Sequence, residues 1–135
     1  NRFKMATLTP TLSLTGTAAD FGNALTLSET ASLTVTEPMI GFSRITATTT
    51  GGESVIAPEV NSAKYIYIKH TGLNASGASS GTDKVKVETA DGAAIMELKA
   101  EEFAFFPFFQ QGPCKLQLET DANTVQVEYA YFTRA

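Results

Sequence analysis

Apolar residues recur at every second position along most of this chain. In "ATLTPTLSLT", Ala6, Leu8, Pro10, Leu12 and Leu14 fall on one side, with Thr7, Thr9, Thr11, Ser13 and Thr15 on the other. That alternation is expected of a strand with one covered face. Pro10 has no N–H to give to a ladder, which predicts an edge position. After "GTAADFGN", Leu25, Leu27, Ala31, Leu33 and Val35 oppose a second row of threonines and serines. Glu29 interrupts the apolar row, predicting two short strands or a bulge.

In "IGFSRITATT" the phase shifts near Arg44, with Ile40 and Phe42 on one face and Ile45 and Ala47 on the other, and "TGGE" turns the chain into "SVIA". "KYIYIK" follows, with Tyr65 and Tyr67 on one side and Ile66 and Ile68 on the other; both of its faces need cover. "TGLNASGASSGT" is the longest Gly/Ser-rich stretch and predicts an exposed loop. "DKVKVET", "AAIMELK", "KLQLE" and "TVQVEYAYF" complete the series, separated by turns at "ADG" and "TDAN". About ten short antiparallel strands with no sustained helical period predict an all-β, single-domain β-sandwich or jelly roll.

"DGAAIMELKAEEFAFF" is rich in helix formers, and Asp91 is a competent cap. At 100° per residue, however, Glu97, Lys99, Glu101 and Glu102 spread around the axis. Strands sort the same residues better, with Ala94, Met96 and Leu98 on one face and a turn at "KAEE". Beyond that turn, "EEFAFFPFFQQ" packs five phenylalanines into seven residues. Phe103 and Phe105 read as core, together with Leu116, Leu118, Val125 and Val127. Phe106, Phe108 and Phe109 change phase around Pro107 and read as an oligomer interface, with Tyr65, Tyr67, Tyr129 and Tyr131. A membrane wedge would want basic flanks; the run has Glu101 and Glu102 before it and Gln110 and Gln111 after it. A ligand groove is a further possible use of the same rings.

Composition narrows the role. A chain of 135 residues suits one domain that buries roughly two thirds of its unfolded surface. Charged residues make up 18%, below the usual level of about 25%, and threonine, serine and alanine take their place. With a net charge of -4 and scattered basic residues, the chain lacks the stripe that nucleic-acid binding requires. No apolar run approaches the roughly 20 residues of a membrane-spanning helix. "NRFK" is basic, but "MATLTPTLSLT" lacks a continuous apolar stretch, so no export signal is read. Residues 1–5 are expected to be an extension or start region, and residues 6–135 one sandwich domain.

Candidate chemistry is sparse. His70 is the only histidine, and at a strand end beside the polar loop it reads as a structural residue rather than a triad member. Carboxylates occur at Glu101, Glu102 and Asp121, with Glu88, Glu97 and Glu119 apart in the sequence; they look like turn and solvent-facing positions, although only three-dimensional spacing decides an acid/base pair. No Cys/His spacing suits zinc, and the Asp turns lack a calcium-loop pattern. Cys114 is most simply a small packed side chain. Neither a cofactor nor an enzymatic reaction is expected.

The start "MATLTPTLSLTG", the middle "KYIYIKHTG", and the ending "AIMELKAEEFAFFPF" with "LQLETDANTVQVEYAYF" resemble small β-sandwich virion proteins of tailed bacteriophages, especially cyanophage-like ones. The resemblance spans most of the chain from Met5 onward and lies in style rather than in catalytic motifs. It implies a capsid decoration or cement protein that acts as a homo-oligomer, commonly a trimer. The partner would be the major capsid protein or another virion protein, in a particle assembled in the host cytoplasm rather than secreted. The alternative is a neck, tail or adhesin-type module that binds a receptor or carbohydrate through Tyr65, Tyr67 or the loop.

Overall fold

The computed structural model describes residues 4–54, 62–110 and 115–135. Expectations placed on Cys114, on most of "SVIA" and on Asn1 to Phe3 lie outside these residues. The fold is all-β, with strands taking up 62% of the described residues and helix 3%. The helical alternative for "DGAAIMELKAEEFAFF" is thereby settled in favour of strands.

Two compact units divide the chain, residues 1–37 with 134–135, and residues 38–133. In the first unit, β1 (Met5–Leu8) pairs antiparallel with the start of β4 (Leu33–Ala47), which continues into the second unit. β2 (Thr11–Gly16) and β3 (Leu25–Thr30) form a separate two-stranded hairpin around the single helical turn α1 (Ala18–Phe21). The expected Ala6–Thr15 strand is therefore two strands, because Pro10 falls in the break between β1 and β2 rather than on a ladder edge. Two strands do occur here, but Glu29 stays inside β3, paired with Leu12, and the break falls at Ala31 and Ser32, before the 15-residue β4.

The second unit is a two-layer antiparallel sandwich. One layer runs β4, β11 (Val125–Arg134), β6 (Ser62–His70), β9 (Phe103–Gln110); the other runs β5 (Glu53–Ser54), β10 (Gln117–Thr120), β7 (Val85–Glu88), β8 (Ala94–Leu98). Between the layers lie Ala47, Ile66, Ile68, Val85, Val87, Leu98, Leu116, Leu118, Val125 and Val127, all buried. Alternate residues of each strand supply this core because successive side chains point to opposite faces. β4 passes Arg44 without a break: Phe42 is exposed while Ala47 is fully buried, so the apolar residues change faces and the backbone does not.

The turns are chemically specified. Between β7 and β8, Thr89 N–H donates to Ala93 O (3.0 Å) and Gly92 N–H to Thr89 O (2.9 Å), with Gly92 at φ 86°, a left-handed value that glycine adopts freely. The Thr89 hydroxyl, then the backbone N–H groups of Asp91 and Ala93, hold the Asp91 carboxyl below its ordinary pKa. Between β8 and β9, Glu102 N–H donates to Lys99 O (3.0 Å), and Lys99 N–H donates to Glu102 Oε1 (2.8 Å).

Candidate functional site

β9 carries the phenylalanine run, and its side chains alternate without interruption. Phe103, Phe105, Pro107 and Phe109 are exposed; Ala104, Phe106 and Phe108 are half-buried; Gln110 is buried. The expected phase change at Pro107 does not occur. β9 is the edge of its layer and pairs with β6. Edge strands tolerate a residue without an N–H, so proline leaves the period intact.

Six of the thirteen positions expected in the core or at an interface face the other way. Phe103 and Phe105, read as core, are 62% and 38% exposed. Phe106 and Phe108, read as interface, pack against the core and meet each other edge to face at 6.4 Å. Tyr129 and Tyr131 also pack against the core, since they continue the face of Val125 and Val127 along β11. Phe109 is 54% exposed, and Leu116, Leu118, Val125 and Val127 are fully buried.

The outer face that results is aromatic. Tyr67 lies opposite Phe105 in the β6–β9 register and Tyr65 opposite Pro107. The Tyr65 and Phe105 rings stack across the diagonal at 6.1 Å with 14° between planes, a contact within reach of large side chains. From β4, Phe42 meets Tyr67 edge-on at 5.4 Å, an arrangement favoured by the ring quadrupoles. These two rings belong to strands on either side of β11, where Ala130 sits opposite Tyr67 and is fully buried. A small residue there leaves room for the rings to meet over it. Tyr67 donates to Glu128 Oε1 (3.0 Å); burial, then the hydrogen bond to Glu128 and its charge, raise the phenol pKa above its ordinary value.

Polar groups sit beneath the inner face and elsewhere. Lys64 is fully buried, opposite Phe108; its ammonium donates to Ser62 Oγ and Thr133 Oγ1, both at 3.2 Å, and lies 5.5 Å from the Tyr131 ring centroid. His70 is fully buried, with Gly72 N–H donating to Nδ1 (2.9 Å) and Nε2 contacting the Asp83 carbonyl (2.8 Å). A carbonyl only accepts, so the neutral tautomer carries its proton on Nε2. Both ring nitrogens are thus engaged in joining the polar loop to β6, which supports a structural role.

The structure also joins two carboxylates that are far apart in sequence. Glu88 and Glu119 lie on the paired strands β7 and β10. Burial, then a hydrogen bond with Glu119 and the Glu119 charge, push the Glu88 carboxyl pKa up, with Lys86 pulling it partly back. Because its folded pKa exceeds the unfolded value, the native state holds more protons between the two, and stability falls as pH rises through that interval. Glu88→Gln should therefore be more stable than the wild type at pH 7, with the difference shrinking below about pH 4; urea melts at both pH values measure it.

A cleft of about 410 Å³ opens among Thr48, Thr49, Asn74, Ser76, Asn123 and Thr124. Its polar atoms already serve the loops: Asn74 Oδ1 accepts from Ser76 N–H, Ser76 Oγ and Ala78 N–H, and Thr124 Oγ1 accepts from Ala75 N–H. Among the described residues no group of His, Cys, Asp or Glu is placed to hold a metal ion, and no helix is long and apolar enough to cross a membrane. Comparisons with protein-family models, curated proteins and solved structures find no match to this chain.

Proposed function

We propose that this protein is a non-enzymatic structural protein that self-associates through the outer aromatic face of the β4–β11–β6–β9 layer. The observation that carries this reading is the cluster of Phe42, Tyr67, Tyr65 and Phe105, flanked by exposed Phe103 and Phe109. The opposite face of the same layer already packs a core, so these rings serve no core of their own sandwich. Contiguous apolar patches on monomers seldom exceed a few hundred Å², and covering each ring fully is worth roughly 1.5–3 kcal/mol.

Pro107 favours face packing over strand addition at β9, since it offers no N–H to an incoming strand. The resemblance to tailed-phage virion proteins supports a shell decoration or cement role, and the acidic balance disfavours a DNA-lined surface. Light scattering over a range of concentrations should give a homo-oligomer, and purified protein should bind capsid shells that lack it. A strict monomer that ignores such shells counts decisively against the proposal.

A further inference from the structure

The β2–β3 hairpin presents a second apolar surface. In its register Leu12 faces Glu29, Leu14 faces Leu27, and Gly16 faces Leu25; the other side pairs Thr11 with Thr30, Ser13 with Ser28, and Thr15 with Thr26. One face is leucine and the other hydroxyl. Phe21 folds back over Gly16, where an added Cβ would come within 2.4 Å of the ring, so any larger residue there would push the ring aside. All four leucines and Phe21 remain exposed, and a two-stranded hairpin with no cover is at best marginally stable in water.

Charge and apolarity indicate what covers it. Among the described residues, every exposed large hydrophobic except Ile95 belongs either to the first unit or to the aromatic face of the second. From Met5 to Ser43 the chain holds Asp20, Glu29 and Glu37 and no lysine or arginine. Stacking two leucine faces would bring Glu29 of each copy onto one shared apolar surface. The aromatic face carries Arg44, exposed and hydrogen-bonded to the neutral Gln126 side chain (3.1 Å), while the Glu128 carboxylate of the same face is engaged by Tyr67 (3.0 Å).

We infer that the 11–30 hairpin is an exchange arm whose leucine face seats on the aromatic sheet face of a second copy of this chain, with Glu29 matched to Arg44. This rests on the reading of that face as an assembly surface. The contact is heterologous, so reciprocal exchange closes a dimer and cyclic exchange closes a ring.

A photo-crosslinking residue at Leu14, in an equal mixture of light and heavy isotope-labelled full-length protein, tests it. Mixed-isotope crosslinks from position 14 to peptides containing Tyr65–Tyr67 or Phe103–Phe109 are expected. Crosslinks confined to one chain, or running from arm to arm, overturn it. Sedimentation of the Leu14→Asp/Leu27→Asp variant should show association weakened by roughly tenfold or more, while Ser13→Asp, on the hydroxyl face, changes little. Glu29→Arg and Arg44→Glu should each weaken association and restore it when combined, a rescue that loss of folding cannot produce. If Phe105→Ser leaves assembly intact, the aromatic-face reading itself fails. If Phe105→Ser dissociates the oligomer and the leucine variant does not, only the arm is wrong.

Discussion

Phe108→Ser should cost about 2–4 kcal/mol of folding stability, toward the lower end of the range for removing a large core side chain. Phe108 packs against the sandwich core, contacts Phe106 edge to face, and lies opposite Ile66's neighbour Lys64 in the β6 register. Removing the ring would open a void beside a buried ammonium as well as beside apolar groups. Phe105→Ser should instead leave folding within about 1 kcal/mol of the wild type, since Phe105 lies on the outer face and surface changes are usually small. Its effect should be on association, weakened by roughly tenfold through loss of stacking on Tyr65 and of cover in the interface. Urea melts at low protein concentration and sedimentation at high concentration separate the two. Equal unfolding by both substitutions, with association otherwise intact, would show that the run acts as one core segment.

His70→Ala should destabilise the protein by about 3 kcal/mol, because it removes a fully buried side chain and leaves the Gly72 N–H and Asp83 carbonyl without the partners they now have. The loss should reach the loop specifically. Ser80 N–H donates to Gly72 O (2.9 Å), and Asn123 Nδ2 donates to Asp83 Oδ2 (2.9 Å), so both ends of the loop are tied to groups that His70 positions. Hydrogen exchange should accelerate at Gly72 and Ser80 more than at Ile66 or Val127. His70→Gln, with an amide donor and a carbonyl acceptor, should recover part of the stability. A loss below about 0.5 kcal/mol for His70→Ala, typical of an unconstrained surface site, would mean that these bonds are replaced by water at little cost.

The strand character of the chain is legible wherever apolar and polar residues alternate. Val125 and Val127, Leu116 and Leu118, and Ile66 and Ile68 occupy regularly spaced positions, and all six are buried. The phenylalanine run defeats the same reading because apolar residues occupy both parities, so periodicity supplies no contrast between faces. Phe106 and Phe108 are inside because the β6–β9 register aligns Phe106 with Ile66 and Phe108 with Lys64, both fully buried. Tyr129 and Tyr131 are a different case: they share the parity of Val125 and Val127, and it is the presence of apolar residues on both faces of "EYAYF" that suggests an interface.

Lys64 illustrates the limit on charged residues. Next to "YIYIK" it looks like a solvated flank, yet Ser62, Thr133 and the Tyr131 ring receive its ammonium inside the fold. Two of these partners lie more than sixty residues away, on a strand that only the antiparallel register brings alongside. The Glu88–Glu119 pair was hidden for the same reason, since neither residue carries a local signal of the other.

By itself the sequence determined the all-β class, the approximate series of strands and turns, and the lack of a local catalytic motif. Those properties follow from spacing of one or two residues and from turn chemistry. Only the tertiary structure decided which parity of the aromatic strand faces the core, that Pro107 leaves its period unbroken, and that Phe42 reaches Tyr67 over buried Ala130. Each of these depends on which strands become neighbours and in what register, and pairing between distant segments is not encoded in the pattern of either segment alone.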